Sequence, residues 1–437
     1  MGSTSQTEEA EAPTGFRAII RDRSVLTVIA LSFVVMIGVG LALPILPLYA
    51  RSFGVSYAAA GLLTSAFGLA RLGGDLLAGP IVDRRGERAT ASGGLLLVSL
   101  SAFVTAWAPN FTVAVTAWAV GGIGSAVFFA AQYSYLLKVV PKDAMARTLG
   151  VFYGSFNAGI IAGGFAGGLL ADAFGLASPL YIYAVVMALA SLLYGRYIRD
   201  PGRAGPVTGG EGEGESMASP RALAVVRTLL RRKGFRTVLV VNFAYLWMVT
   251  SVIDTLVPLF GKERLGMSTS AIGVVFAIAI LVEFAVLYPA GSAADRFGRR
   301  AVLLPALGGL AVTTMIVGRA GSPTTLIVTM CALAIASGFA GVPPAAMLAD
   351  VVPEEHSGTG VGAFRFAGDL AFFLGPLTAG WAIGHFDFSG AFLVASLPIA
   401  LACAAVFRTQ ETMTSKKVTR KTVAPKKVAD GSPGGGD

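Results

Sequence analysis

Uninterrupted apolar stretches of about 20 residues recur along this chain, and they constrain its fold more than any other feature. A helix rises ~1.5 Å per residue, so each stretch is long enough to cross a hydrocarbon layer roughly 30 Å thick. Runs such as 25–48 and 89–107 do not alternate in polarity, as the strands of a membrane barrel do. With 54% hydrophobic and only 14% charged residues, the composition does not suit a water-facing surface. The sequence therefore predicts an all-α membrane protein.

Twelve transmembrane helices are predicted from these stretches. An even number of spans places both termini on one side of the membrane. Of the 34 Lys and Arg residues, 28 lie in segments on the side of the N-terminus, which predicts a cytoplasmic N-terminus and C-terminus in an inner (plasma) membrane protein. The predicted spans are 25–49, 58–80, 89–107, 112–138, 147–171, 178–198, 236–260, 270–293, 301–318, 324–349, 358–383 and 389–408.

Five segments are predicted along the chain. The Gly- and Glu-rich stretch between the sixth and seventh spans indicates a linker, and the Lys-rich end after the last span has a composition that cannot bury a core and is expected to be disordered. The predicted segments are a cytoplasmic N-terminal segment (1–24), two six-helix bundles (25–198 and 236–408), a cytoplasmic linker (199–235) and a tail (409–437).

The two halves of the chain repeat each other at an offset of about 212 residues. Val139-Val140-Pro141 recurs as Val351-Val352-Pro353, Gly163 as Gly375, and Gly168 as Gly380. Because six spans separate equivalent points, the two copies have the same orientation in the membrane, and their symmetry axis lies along the membrane normal. The repeat predicts two pseudo-symmetric bundles around a central site.

The loop after the second span recurs after the eighth. A Gly allows close helix approach, the Asp can accept hydrogen bonds from a helix N-terminus, the Arg residues suit anionic headgroups, and the second Gly allows a turn. A simple basic turn would explain the Arg residues but not the repeated Asp. The pair of loops is predicted to act as a conformational gate, through Gly79, Asp83, Arg84, Gly86 and Arg88 and through Gly291, Asp295, Arg296, Gly298 and Arg300.

With these paired loops, the chain from residue 25 to residue 408 resembles the major facilitator superfamily, and in particular its twelve-helix drug:proton antiporters. The resemblance implies the major facilitator fold and transport by alternating access. The fifth span is similar to the antiporter motif in its glycines, which ordinary small-residue packing would also explain, but Ile160 replaces the motif's Pro. Trp118 stands where such exporters often have an Arg, and the first span has no carboxylate, although Pro44 and Pro47 resemble its ending in exporters.

Six charged residues lie deep within the predicted spans, where each ionised side chain costs about 2.5–3.5 kcal/mol unless it has a partner or a wet cavity. Arg71 and Asp75 on the second span lie at depths similar to those of Asp369 and Arg365 on the eleventh. Because these helices face each other in the family, we predict the pairs Arg71–Asp369 and Asp75–Arg365. Pairs within one helix, Arg71–Asp75 and Arg365–Asp369, have the i,i+4 spacing and remain an alternative.

Glu283 on the eighth span is the repeat equivalent of Arg71, and Asn157 on the fifth is the equivalent of Asp369. A buried carboxyl group with only neutral partners, such as Asn157, can exchange a proton, so Glu283 is the candidate for proton coupling. Asp254 on the seventh span is the next candidate, although it could instead accompany a helix bend near Pro258.

The remaining polar and aromatic side chains of the spans predict the substrate cavity. A cavity with aromatic groups and few charges suits an amphipathic or weakly cationic solute. The predicted lining residues are Gln132, Tyr133, Tyr153, Asn157, Asn242 and Tyr245.

Proton-coupled efflux of a drug or metabolite is the function that these features favour. Uptake by proton symport or facilitated diffusion is one alternative, and a non-transporting membrane sensor or scaffold is another. No pattern of a nucleophile with a base, of metal ligands or of a phosphate loop points to an enzyme, a metal site or a cofactor. The expected partners are a small-molecule substrate, protons and the lipid bilayer, without nucleic acid, and the expected state is a monomer.

Overall fold

The computed structural model describes residues 23–140, 142–198, 200, 220–353 and 356–409, most of which are helical. Residues 1–22 of the predicted N-terminal segment, 201–219 of the predicted linker and 410–437 of the predicted tail lie outside this described part. The predicted boundaries of the five segments stay predictions.

The first half contains six spans around one apolar core, which includes Phe128, Phe152 and Leu180. Its first span is interrupted at 43–45, where Pro44 lacks a backbone N–H and disfavours helical geometry in the residue before it. The six spans are Arg23–Ala42 with Leu46–Arg51, Tyr57–Arg85, Glu87–Ala106, Phe111–Val139, Lys142–Phe174 and Ser178–Tyr197.

The second half repeats this arrangement around its own core, which includes Phe235 and Phe392. Its tenth span is interrupted at Val342, ahead of Pro343 and Pro344, and its last two spans form one helical run that breaks at Asp387, where φ is 63°. The spans are the seventh over residues 233–264, the eighth at Thr269–Phe297, the ninth at Arg299–Val317, the tenth at Pro323–Gly341 with Pro343–Val351, and the last two within Ser357–Phe407.

Ten helices of the described residues are long and apolar enough to cross a membrane, and one of them, Gly358–Phe407, contains two crossings. The second span is the remaining one, and it falls short of this apolarity because Arg71 and Asp75 lie within it. The predicted twelve-helix membrane fold is confirmed.

The seventh span is helical throughout but changes its winding three times. The α-helix Lys233–Trp247 continues as π-helix over Met248–Leu256, returns to α-helix at Val257–Leu259, and is again π-helical over Phe260–Arg264. Pro258 lies in the short α-helical piece, where it cannot donate a backbone hydrogen bond. A bend near Pro258 was the alternative explanation for Asp254, and on both sides of Pro258 the structure has the wider π-helix.

The repeat reappears as two equivalent contacts between the halves. At the end of the fifth span, a Cβ on Gly168 would lie 2.6 Å from the Thr269 carbonyl oxygen at the start of the eighth. On the eleventh span, a Cβ on Gly380 would lie 3.1 Å from Ala58 Cα, and Gly380 also abuts the carbonyl of Tyr57, which is 212 positions before Thr269. Only glycine permits these approaches, so the duplicated glycines bring equivalent helices together in both halves.

The two predicted turn glycines have the required backbone geometry, with φ of 79° at Gly86 and 99° at Gly298. These turns join the second span to the third and the eighth to the ninth, and we call the end of the molecule that carries them the basic end. A further helix, Pro220–Leu229, lies within the predicted linker at this end, and the seventh span begins at Lys233 rather than at 236.

Candidate functional site

Two ion pairs join the halves midway along the second and eleventh spans. Arg71 Nε lies 3.3 Å from Asp369 Oδ1, and Arg365 Nη2 lies 3.4 Å from Asp75 Oδ1. The N–H of Arg71 is not aligned for a hydrogen bond, so this contact is mainly electrostatic. Both predicted pairs are confirmed, and the alternative pairs within one helix are not among the ion pairs of the described residues.

Both arginines of these pairs also lie over aromatic rings of the fourth span. The guanidinium carbon of Arg71 is 5.1 Å from the ring centre of Phe129, and that of Arg365 is 5.8 Å from the ring centre of Tyr133. Cation–π contacts of this kind favour a partly desolvated guanidinium. The fourth span therefore positions a cation from each half.

The two pairs differ in their access to solvent. The Asp369 side chain is 10% exposed and that of Arg71 is 21% exposed, whereas Asp75 and Arg365 are 24% and 34% exposed. The deeper pair is screened less, so its separation costs more free energy.

Glu283 has neutral hydrogen-bond partners on its own half. Ser337 Oγ donates to Glu283 Oε1 at 2.7 Å, and the Tyr245 hydroxyl donates to the same oxygen at 3.3 Å. Asn157, the partner that the sequence suggested, does not hydrogen-bond to Glu283 among the described residues. The neutral partners of Glu283 are instead Ser337, which the sequence did not single out, and Tyr245, which it proposed only as a cavity residue.

Asp254 lies on the first π-helical segment of the seventh span and is 6% exposed. Its Oδ2 atom is buried and has no hydrogen-bond partner in the described part of the chain. A buried carboxylate without a partner is costly. Asp254 therefore stands apart from the paired charges and from Glu283.

The predicted lining residues do not form one surface. Gln132 is 1% exposed and donates hydrogen bonds to Ser32 Oγ at 2.6 Å and to the Tyr194 hydroxyl, so it lies inside the first half's core. Asn242 donates to the Phe364 carbonyl at 2.7 Å and joins the seventh span to the eleventh.

Among the other lining candidates, Tyr133 is the one with a described contact to the opposite half. Tyr133 contacts Arg365, Tyr245 contacts Glu283, and Asn157 is half-buried. The Tyr153 side chain lies outside the described residues. The lining role of all these residues stays a prediction.

The paired gate loops lie apart at the basic end. Asp83, Arg84 and Arg88 are exposed, as are Asp295 and Arg296. Neither aspartate accepts a hydrogen bond among the described residues, although parts of the neighbouring segments lie outside them. An open groove of about 650 Å³ adjoins the second loop and is lined by Leu287, Tyr288, Gly291, Ser292, Asp295 and Arg296.

The opposite end carries polar contacts that the sequence did not reveal. Arg51 Nε lies 2.9 Å from Glu263 Oε1, and the Tyr57 hydroxyl donates to the same carboxylate. Asp172 accepts hydrogen bonds at 3.0 Å from the backbone N–H groups of Thr269 and Ser270, and also from both hydroxyls. The sequence did contain one sign of the Asp172 contact. An acidic residue at a helix C-terminus interacts unfavourably with the dipole of its own helix, which suggests that it has a partner elsewhere.

These contacts define the conformation. In the described part of the chain, the polar contacts between halves lie midway along the spans or at the end opposite the gate loops. The pair Asp75–Arg365 is the one nearest to the gate loops. The structure is therefore closed at the end opposite the gate loops.

The sequence model of the Major Facilitator Superfamily matches residues 28–287 and, a second time, residues 263–432. The chain belongs to the Major Facilitator Superfamily. Members of this superfamily are transporters and not enzymes, and the spans make the chain a multi-pass plasma membrane protein.

Individual relatives in this superfamily resemble the chain to different extents. It is 27% identical to the class C tetracycline resistance protein of Escherichia coli over 382 residues, which is 85% of this chain and 93% of that protein. It is 28% identical to the quinolone resistance protein NorA of Staphylococcus aureus (strain MRSA252) over 169 residues, which is 39% of this chain and only 43% of NorA.

Solved structures with low sequence identity to this chain share its fold. The crystal structure of a D-xylose-proton symporter superposes with a TM-score of 0.70 at 16% identity, and the match covers 89% of this chain and 98% of that chain. At this identity the likeness concerns the fold alone. It gives an independent reference for the twelve-helix arrangement.

Proposed function

We propose that this transporter exports small amphipathic molecules, drugs or metabolites, in exchange for protons, acting as a monomer with both termini in the cytoplasm. With that orientation the gate loops and the basic end face the cytoplasm, and the present conformation opens inward. A substrate would enter from the cytoplasm or the inner leaflet and leave after the halves rock about the midway charges.

The observation that carries proton coupling is the environment of Glu283. It is a carboxyl group midway across the membrane whose hydrogen-bond partners, Ser337 and Tyr245, are both neutral. A carboxyl group of this kind can be neutral in one conformation and ionised in another, whereas Asp75 and Asp369 already face arginines. We assign Glu283 the role of coupling site, with Asp254 as the second candidate.

The direction of transport rests on the relatives. Two proteins named for quinolone and tetracycline resistance resemble the chain in sequence, and both names fit an exporter. Uptake by proton symport is the second candidate, because the chain lacks two exporter features at Trp118 and Ile160. The structural likeness to a sugar–proton symporter bears on the fold and leaves both directions open.

Vesicles of opposite orientation test the proposal. Inverted vesicles containing the transporter are loaded with a pH-sensitive dye, acidified inside, and exposed to a panel of aromatic amphipathic compounds. Exchange predicts that a transported compound raises the internal pH, because protons leave as the compound enters. Vesicles without the transporter give the background. Acidification of right-side-out vesicles by an external compound would instead establish symport.

A further inference from the structure

The helix Pro220–Leu229 and the start of the seventh span carry a concentration of positive charge. Residues 220–240 contain six Lys and Arg residues and no Asp or Glu. Five of them are exposed, and none takes part in an ion pair among the described residues. We call these five the basic linker cluster: Arg227, Arg231, Arg232, Lys233 and Arg236.

The same helix has an apolar side that packs on the protein. Leu229 is 1% exposed and belongs to the core of the second half, and Val225 and Val226 pack against that core. At 100° per residue, Val225 and Leu229 point in nearly one direction. These contacts hold the helix against the bundle.

A second apolar edge is left uncovered. Leu223 is 56% exposed, and Leu230, the first residue after the helix, is 39% exposed. The N–H of Leu230 still donates to the Val226 carbonyl at 2.8 Å, so these two side chains, seven residues apart, lie along one side. Arg227 lies between them in sequence and points about 40° away from Leu223 around the helix axis. The exposed surface thus has an apolar edge beside Arg227, and Arg231 and Arg232 follow in the turn after the helix. Basic and apolar side chains placed side by side in this way are typical of segments that lie in a membrane interface.

The position along the seventh span fits this interpretation. Arg236 is exposed on the first turn of the span, and Val240, one turn further, is 39% exposed and apolar. The exposed side chain is basic at Arg236 and apolar at Val240, four residues later. This change marks the boundary between the headgroup layer and the hydrocarbon layer along the seventh span. The cluster lies on the headgroup side of that boundary.

We propose that the basic linker cluster is a binding site for the headgroups of anionic phospholipids. The phosphodiester oxygens would accept hydrogen bonds from the arginines, and the acyl chains would cover Leu223 and Leu230. Because no carboxylate of the described residues neutralises the cluster, its field is available to the lipid. This proposal is independent of the transported substrate and of proton coupling.

The test measures lipid binding to the full chain purified in an uncharged detergent. Short-chain phosphatidylglycerol and phosphatidylcholine are added separately, and bound lipid is counted by native mass spectrometry. We expect the anionic lipid to bind tighter, and the triple variant R227Q/R231Q/R232Q to weaken it roughly a hundredfold, since each surface cation contributes about fivefold. Phosphatidylcholine binding should not change.

A matched variant removes three cations from the opposite end, K262Q/R264Q/R319Q, and should keep the preference for phosphatidylglycerol. The proposal is overturned if the linker variant keeps that preference, or if both variants lose it equally. It is also overturned if soluble glycerol phosphate displaces the lipid, because the site would then recognise a free phosphate. Should the triple variant fail to fold, R231Q and R232Q are measured singly, each with an expected loss of about fivefold.

Discussion

The Asp172 carboxylate accepts a hydrogen bond from the backbone N–H of Ser270 at 3.0 Å, so the last turn of the fifth span caps the first turn of the eighth. This cap differs from an ordinary one because it comes from the other half of the molecule. The first-turn N–H groups have no partner within their own helix, and an anion there also interacts favourably with the helix dipole. Closure at this end is therefore stabilised by a bond that opening must break.

Replacing Asp172 with Ala should shift the conformers toward opening at this end. Ser268 remains the N-cap of the eighth span, and loss of a further side-chain acceptor at the first turn costs about 1 kcal/mol, which corresponds to about a fivefold change in the ratio of conformers. Spin labels at the exposed positions Thr112 and Thr324 report the distance between the two halves at this end. Cys331 and Cys403 are replaced by Ser in this background. Asp387→Asn removes one charge at the same end and should leave the distance distribution as in the parent. An unchanged distribution for Asp172→Ala would show that the cap does not hold the halves.

Charge reversal should separate contacts between halves from contacts within a helix. Single reversals Arg71→Asp and Asp369→Arg should each abolish transport, and the double variant should regain part of it, since coupling within such a network amounts to about 1–3 kcal/mol. The measurement is initial rate of transport at equal amounts of folded protein.

The control swap R365D/D369R has the same net charge and an intact i,i+4 pair within the eleventh span, but it places like charges opposite Arg71 and Asp75. We expect it to stay inactive. Recovery in this variant would show that pairs within the helix are sufficient and that the contacts between halves contribute little.

Glu283→Gln should uncouple transport from the proton gradient. The amide has nearly the shape of the carboxyl group but cannot exchange a proton, so accumulation against a gradient should vanish while substrate exchange at equal pH continues. Both are measured in the same vesicle preparation. Ser337→Ala removes the 2.7 Å hydrogen bond but leaves the carboxyl group, so coupling should survive. Retained coupling in Glu283→Gln would move the assignment to Asp254, to be tested as Asp254→Asn.

Gln132→Leu should lower stability rather than substrate affinity. The substitution takes a hydrogen bond from the buried Tyr194 hydroxyl, at a cost of about 1–3 kcal/mol for an unsatisfied buried group. Thermal unfolding in detergent should therefore occur at a lower temperature, with KM for transport unchanged. Asn157→Leu, at a half-buried position, provides the comparison. A change in KM at normal stability would return Gln132 to the cavity lining.

The sequence by itself determined the number of spans and their duplication, because both follow from local chemistry. Each apolar stretch must bury its own backbone polar groups in a helix, whatever its neighbours do. The constant offset of 212 residues paired Gly86 with Gly298, which both have positive φ, and Gly168 with Gly380, which both contact the other half closely. Depth along a helix also follows from counting residues, and together with the resemblance to a family in which the second and eleventh helices face each other it allowed Arg71 and Asp369 to be paired before their side chains were located.

Only the tertiary structure decided which face of each helix points where. Gln132 and Tyr133 are adjacent in sequence, yet a 100° rotation puts one in the core and the other beside Arg365. Nothing in the sequence distinguishes Ser337 from other small polar residues. Only the packing of the tenth span against the eighth places it beside Glu283. The contacts of Asp172 and Glu263 depend on the angle between two bundles, which no single helix encodes. That angle follows from the packing between the bundles, so the sequence specifies the helices and the packing selects the conformation.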